Sequence, residues 1–396
     1  MSTDAGRLYP DCDPYGIAER LTEAEKAPLR RLRRVLEDEV RPLLAEYWEA
    51  GEFPYQVAPS LHALDLMTPP ELTADGGQPR SLYHGFRIFE LARTDASVAT
   101  FYTAQAGLFR TACRVGGTPE QFAAWDPKIT SFEMTGVFCL TEPEHGSDIA
   151  GGLATTARRE DDEWVLTGTK RWIGGAFTAD LLAVFARDEA DGQVKGFVVE
   201  TPAQGYEATV ITGKMSLRSV WQADIRLRGV RVPEENRLQE AHSFADAGRV
   251  LATTRSACAW MALGHATAGY EAALAYTRRR EQFGKPLVGF QIVQERLVRM
   301  LAALTGMQLY CMQIGRLAEA GRLSPTVAGL AKMHNTRTAR EILAEARDLL
   351  GGNGILLENH VIRHMADIEA IHTFEGTETV QTLIVGRDIT GVSAFT

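Results

Sequence analysis

From Thr22 the chain reads as helix: Thr22 and Glu25 stand in capping-box spacing, and Leu29, Leu32, Val35 and Leu36 recur at helical intervals behind them. Further helical stretches are predicted at 83–93, 97–115 and 118–125, beyond a Pro- and Gly-containing segment at 69–79. Near Thr135 the pattern changes. Trp164-Val-Leu-Thr, Leu181-Leu-Ala-Val-Phe, Gly196-Phe-Val-Val and Ala223-Asp-Ile-Arg-Leu-Arg are short apolar or alternating runs, broken by Gly, Asp and Pro, as strands of a small β domain are. After Pro233 the helical period returns and predicts helices near 245–279, 288–321, 325–350 and 377–389, with Ser324 as an N-cap and Pro325 at the first helical position. Helices, then strands, then helices, with no β-α-β alternation, predict a mainly α protein with an inserted β module. The expected domains are 1–134, 135–240 and 241–396.

With 396 residues and 45% hydrophobic content, the chain can bury a substantial core in two or three associated parts. Its formal charge of −9 gives no global attraction toward nucleic acid or an anionic membrane, which leaves room only for a local basic pocket. The five cysteines, Cys12, Cys113, Cys139, Cys258 and Cys311, are widely spaced, so neither a disulfide framework nor a metal site is expected. Residues 1–16 contain no apolar core of a leader, no run approaches a membrane span, and Ala394-Phe395-Thr396 matches no address signal. A cytoplasmic location is the expectation.

Four segments carry candidate chemistry. Phe138-Cys-Leu-Thr-Glu-Pro-Glu-His-Gly-Ser-Asp148 offers backbone donors and hydroxyls at a domain junction, though an ordinary Pro/Gly loop reads the same way. Arg280-Glu-Gln-Phe-Gly-Lys-Pro-Leu-Val-Gly-Phe-Gln291 presents a guanidinium suited to phosphate, or a solvated basic helix end. Leu349-Leu-Gly-Gly-Asn-Gly354 would let a pyrophosphate approach the backbone, or simply terminate a helix. Thr373-Phe-Glu-Gly-Thr377 sets one carboxylate between an aromatic residue and glycine. Apolar surroundings there would raise its pKa and make it a base near neutral pH, whereas a first-turn acid at a helix start is the plainer alternative. His360 and His364 have i, i+4 spacing but lack the intervening glutamate of a zinc peptidase, and no serine-hydrolase elbow is present.

Taken in order, these segments match T-E-P-x-x-G-S-D, R-x-x-F-G, L-G-G-x-G and Y/F-E-G-T, and the chain from about residue 20 onward resembles the acyl-CoA dehydrogenase family. Glu345-Ala-Arg-Asp-Leu-Leu-Gly-Gly-Asn-Gly and Gly386-Arg-Asp-Ile-Thr-Gly391 are similar to the subgroup of glutaryl-CoA dehydrogenases and short-chain acyl-CoA oxidases. The resemblance implies a helical N-terminal domain, a β-barrel middle domain and a C-terminal four-helix bundle, with FAD as cofactor. It implies a homotetramer acting on an acyl-CoA or carrier-protein thioester and passing electrons to an electron-transfer flavoprotein or another acceptor, oxygen in the oxidase case.

The same resemblance assigns residues. Glu375 would remove the α-proton while the β-hydrogen leaves as hydride to the flavin, and the enolate would be held by a flavin ribityl hydroxyl and the Glu375 backbone N–H. Phe138, Leu140, Thr141 and Ser147 would border flavin and thioester, with Trp172, Ile173 and Gly174 against the ring system. Arg280, Phe283, Gln291 and Asp348, Leu349, Leu350, Gly351, Gly352 would hold the FAD diphosphate and adenosine across a subunit boundary, and Thr377, Thr379 and Phe395 would complete the flavin site. Ala99, Thr100, Arg255, Ser147 and Gly376 would meet the substrate. Three departures stand out. Gly174 replaces a usual Thr or Ser, Asp348 replaces glutamine, and Ala99 stands where glutaryl-specific members carry an arginine for the distal carboxylate. The last points to an uncharged acyl tail.

Overall fold

The computed structural model describes residues 7–74 and 76–395. They fall into two compact units, one comprising residues up to 99 with 215–218 and 255 onward, the other 100–214 with 219–254.

The first unit is helical. Thr22 Oγ1 accepts from the Glu25 N–H at 3.2 Å while the Glu25 carboxylate accepts from the Thr22 N–H at 2.8 Å, so the helix Glu23–Val35 starts on a complete capping box. The helix Pro325–Leu349 begins as read, with Ser324 Oγ accepting from the Val327 N–H at 3.2 Å. The helix Gln291–Glu319 is long and apolar enough to cross a membrane by length and composition, which the sequence pattern did not lead us to expect. Its buried Val293, Leu297, Met300, Leu304, Met307, Cys311 and Ile314 recur every three or four positions, and it packs along Pro325–Leu349.

One helix of this unit was not anticipated. Val361–Thr373 buries Arg363, His364 and Asp367 beside Val361, Ile368 and Ile371, so its inner face carries no continuous apolar period. Each of these three side chains has a partner. Arg363 pairs with buried Asp95, whose other oxygen accepts from the N–H groups of Ser97 at 2.8 Å and Val98 at 3.0 Å. Asp367 accepts from the Leu217 N–H at 2.7 Å and from Trp48 Nε1 at 3.3 Å. His364 turns its Nδ1 to Nδ1 of His265 at 2.6 Å, which explains its i, i+4 spacing from His360 as packing. Burial, with Arg363 adjacent, pushes the His265 imidazole down to about 3. Among the described residues no group of three or more His, Cys, Asp or Glu side chains is arranged to hold a metal ion, and all five cysteines are buried free thiols.

The second unit carries a seven-stranded sheet: β1 (Gly136–Cys139), β2 (Thr156–Glu160), β3 (Glu163–Gly174), β4 (Leu181–Asp188), β5 (Val194–Glu200), β6 (Tyr206–Val210) and β7 (Gln222–Pro233). The order is β1-β4-β2-β3-β7-β6, with β5 on the other edge of β4. The unbroken apolar run of β4 follows from burial on both faces. Leu182 and Val184 join Trp164, Leu166, Phe197, Ile225 and Leu227 on one side, while Leu181, Ala183 and Phe185 join Phe109, Ala112, Leu140, Val198 and Leu238 on the other. β3 alternates instead, and two register shifts against β7, at Leu166/Thr167 and Lys170/Ile173, bend it where the chain reaches Trp172.

Candidate functional site

The turn between the helices Val361–Thr373 and Glu378–Thr390 carries Glu375. Glu375 sits at φ 57° and Gly376 at φ 86°, so two consecutive residues adopt left-handed backbone, one of them non-glycine. The turn is held from beneath. Buried Lys332 donates to the carbonyls of Phe374 and Gly376 and, at 3.4 Å, to that of His372. Gln381 Nε2 donates to the Glu375 carbonyl at 2.9 Å. Thr377 Oγ1 caps the following helix by accepting from the Val380 N–H at 3.3 Å.

A side chain at 376 would not fit. A Cβ there would lie 2.4 Å from Gln381 Nε2, in a conformation that L residues rarely adopt. Gly376→Ala is therefore expected to destabilise the protein by about 1–3 kcal/mol and to lower kcat more than it raises KM, checked by thermal melting beside steady-state kinetics.

Arg255, on the helix Phe244–Arg279, lies near enough to Glu375 for their charges to interact, and its Nε is buried without a hydrogen-bond partner. Burial draws the guanidinium below its ordinary value, and Glu375 opposes that shift. Glu375, Gly376, Thr377 and Arg255 are thus brought to one place, with Glu375 itself half-buried.

In the sheet-bearing unit, Phe138 packs on Phe185 with ring centroids 5.1 Å apart, Leu140 is buried, and the Thr141 carbonyl accepts from the Arg171 N–H at 2.8 Å. The loop that follows hangs on Glu142, a residue the sequence reading passed over. Its carboxylate takes the N–H groups of Ala154 at 2.7 Å and Thr155 at 3.0 Å and the ammonium of fully buried Lys170 at 2.8 Å. Lys170 also donates to the Leu140 carbonyl at 3.2 Å. Ser147 is exposed. At the β3 bulge Trp172 takes φ 65° and stays 51% exposed, with the Arg171 guanidinium 5.0 Å from its ring centroid, while Ile173 is buried. Gly174 is half-buried, 3.6 Å at its Cβ position from Val220.

The third group is open to solvent. Arg280, Phe283, Gln291, Gly351, Gly352 and Thr379 are exposed, and Phe283 stands 94% exposed on the hairpin of Glu281–Gln282 and Lys285–Pro286. Among the described residues, no atom beyond the adjoining backbone comes within 4 Å of a Cβ position at Gly351 or Gly352. Asp348 takes Arg296 at 2.8 Å and Arg347 at 3.0 Å, while Leu349 and Leu350 are buried as the helix ends. Phe395 lies 5.9 Å from the Arg387 guanidinium. Ala99 is fully buried and Thr100 half-buried.

Family models for the acyl-CoA dehydrogenase N-terminal, middle and C-terminal domains match residues 22–133, 137–230 and 244–390 in order. The chain belongs to the acyl-CoA dehydrogenase family. It is an oxidoreductase with that family's fold: helical, then sheet, then helical. It is similar to the short-chain specific mitochondrial acyl-CoA dehydrogenase of Bos taurus, 32% identical over 372 residues, 92% of this chain and 90% of that one. Among solved structures it resembles glutaryl-CoA dehydrogenase from Mycobacterium smegmatis, TM-score 0.90 and 37% identity over 96% of this chain and 98% of that one. A second glutaryl-CoA dehydrogenase structure from that organism, in complex with FADH2, superposes with TM-score 0.90 at 32% identity, covering 96% of this chain and 97% of that one.

Lys332 and Gln381, which hold the turn of this acyl-CoA dehydrogenase, were not singled out from sequence. A signal for Lys332 was present. It lies on the face Ala328, Ala331, Lys332, Asn335, Thr336, Ala339, Ile342, where a lysine interrupts an otherwise small or apolar stripe and must find partners inside.

Proposed function

We propose that the chain catalyses FAD-dependent α,β-dehydrogenation of an acyl-CoA with a short or medium uncharged tail, Glu375 removing the α-proton. The observation that carries this reading is the turn itself, in which strained backbone, carbonyls clamped on three consecutive residues and a guanidinium nearby fix one carboxylate. Strain of that kind persists where a surrounding structure over-determines it, as at sites of chemistry.

The chain's own groups fit FAD. A half-exposed Trp172 ring at a bulge suits a planar ring system, and exposed Arg280 with side-chain-free backbone at Gly351 and Gly352 suits a diphosphate. Phe138, Leu140, Thr141, Ser147, Ile173 and Gly174 would border the ring, and Thr377, Thr379 and Phe395 are further residues assigned to the flavin. Phe283, Gln291, Asp348, Leu349 and Leu350 would serve the adenosine end. FAD held by these residues would supply the hydride acceptor for the β-hydrogen. Glu375 takes the α-proton, its own N–H supports the negative charge growing on the thioester oxygen, and Arg255 and Gly376 position the thioester.

Buried Ala99 offers no charge to a distal carboxylate, which supports an uncharged tail running past Thr100. The exposed Phe283, Ile292, Val298, Leu309, Tyr310 and Leu330 support a homotetramer in which one subunit's hairpin serves a neighbour's FAD. We place the enzyme in the cytoplasm, with domains 1–134, 135–240 and 241–396, and with an electron-transfer flavoprotein as acceptor.

The test is anaerobic titration of the purified protein with butyryl-CoA, octanoyl-CoA, glutaryl-CoA and a butyryl carrier protein. Flavin bleaching by butyryl- or octanoyl-CoA at lower concentration than by glutaryl-CoA is expected. Preference for glutaryl-CoA would overturn the assignment of the tail, and stoichiometric peroxide on aerobic turnover would assign an oxidase.

A further inference from the structure

Lys332 is 1% exposed, in the third turn of the helix Pro325–Leu349, and forms no ion pair among the described residues. Its ammonium is spent on the backbone carbonyls of a single turn: those of Phe374 and Gly376, which flank Glu375, and that of His372 at 3.4 Å. A buried cation whose hydrogen bonds all go to backbone carbonyls, with the charge of Glu375 near enough to favour it, is a costly arrangement that a methionine of similar volume would avoid. What it accomplishes follows from peptide geometry. In a trans peptide the C=O and N–H point in opposite directions, so holding the Phe374 carbonyl toward Lys332 turns the Glu375 N–H away from it. The left-handed φ at Glu375 and Gly376 brings the next-but-one carbonyl back to the same ammonium. A cation on the carbonyl oxygen also withdraws electrons through the amide and makes its N–H a stronger donor.

We propose that Lys332 is a positioning residue for enolisation, aiming and polarising the Glu375 N–H as donor to the thioester carbonyl oxygen. This rests on the reading of Glu375 as the base. Gln381, donating to the Glu375 carbonyl at 2.9 Å, fixes the peptide on the other side.

The experiment uses the FAD-loaded enzyme and a 3-thiaacyl-CoA, whose β-sulfur carries no hydrogen, so that the ligand can lose its α-proton but cannot be oxidised. Charge-transfer absorbance between enolate and flavin is followed against pH. Its equilibrium midpoint reports how well the enolate oxygen is stabilised, and its rate of appearance reports the base. Lys332→Met is expected to raise the midpoint so that the enolate is on the order of tenfold less populated at a given pH. Lys332→Gln, which keeps a donor without the charge, is expected to fall between. Either variant titrating at the wild-type midpoint while retaining FAD overturns the proposal. Loss of FAD and helical circular dichroism in both variants also overturns it, since Lys332 would then serve folding alone. Glu375→Gln in the same assay isolates the underlying reading: a band that forms at the wild-type rate would refute Glu375 as base whatever Lys332 does.

Discussion

Glu375→Gln is expected to yield a folded, yellow protein that binds acyl-CoA with affinity within a fewfold of wild type and turns over at least about a hundredfold more slowly. The amide matches the carboxylate in size, and Lys332 and Gln381 hold the turn through the backbone carbonyls of 374, 375 and 376, which the substitution leaves in place. What is lost is the lone pair that accepts the α-proton, since an amide is no base near neutral pH. The loss should lie in kcat rather than in KM, because ligand affinity depends on contacts that remain. The check is steady-state kinetics with flavin content and acyl-CoA affinity measured on the same preparation.

Glu142→Gln is expected to destabilise the protein by about 3–5 kcal/mol, the usual consequence of leaving one partner of a buried ion pair behind. Lys170 is fully buried and 2.8 Å from Glu142, and among the described residues only the Leu140 carbonyl, at 3.2 Å, is a further acceptor. The same carboxylate anchors the N–H groups of Ala154 and Thr155, so the loop from Thr141 to Asp148 loosens with it and FAD retention should fall. Burial opposes ionisation of Glu142, yet Lys170 and the N–H donors outweigh it and hold the carboxyl below its ordinary value of 4.5. The sign follows. A depressed carboxyl contributes stability above its unfolded pKa and loses it as pH falls through the folded value. Urea melts should therefore show a gap between wild type and variant that is widest at neutral pH and closes on acidification below about 4.5.

The helices of the first unit were legible where caps and apolar stripes coincide, as at Thr22–Glu25 and Ser324–Pro325, and the apolar run of β4 announced a strand. The elements that escaped are those whose inward faces are polar or narrow. Val361–Thr373 hides Arg363, His364 and Asp367 in its core-facing row, β2 buries only Ala157, and β6 has no fully buried residue. The capping box of Thr118 and Gln121 escaped too, because a glutamine there reads as an ordinary surface residue. At the site, Glu375 and the glycine-bearing segments were marked by the ordered resemblance of four segments to the family, since each segment alone reads equally as a loop, a cap or a first-turn acid. Lys332, Gln381 and the Glu142–Lys170 pair were not: Lys332 and the pair act on groups 42 and 28 residues away, and Gln381 acts on a backbone carbonyl that no sequence pattern displays.

The central claim is that Glu375 removes the proton whose loss lets the flavin be reduced. Anaerobic stopped-flow absorbance with a saturated acyl-CoA, wild type beside Glu375→Gln, tests it most directly. Rapid bleaching in the wild type, with flavin that stays oxidised in the variant over the same interval, is the expected result; bleaching at equal rates in both would contradict it.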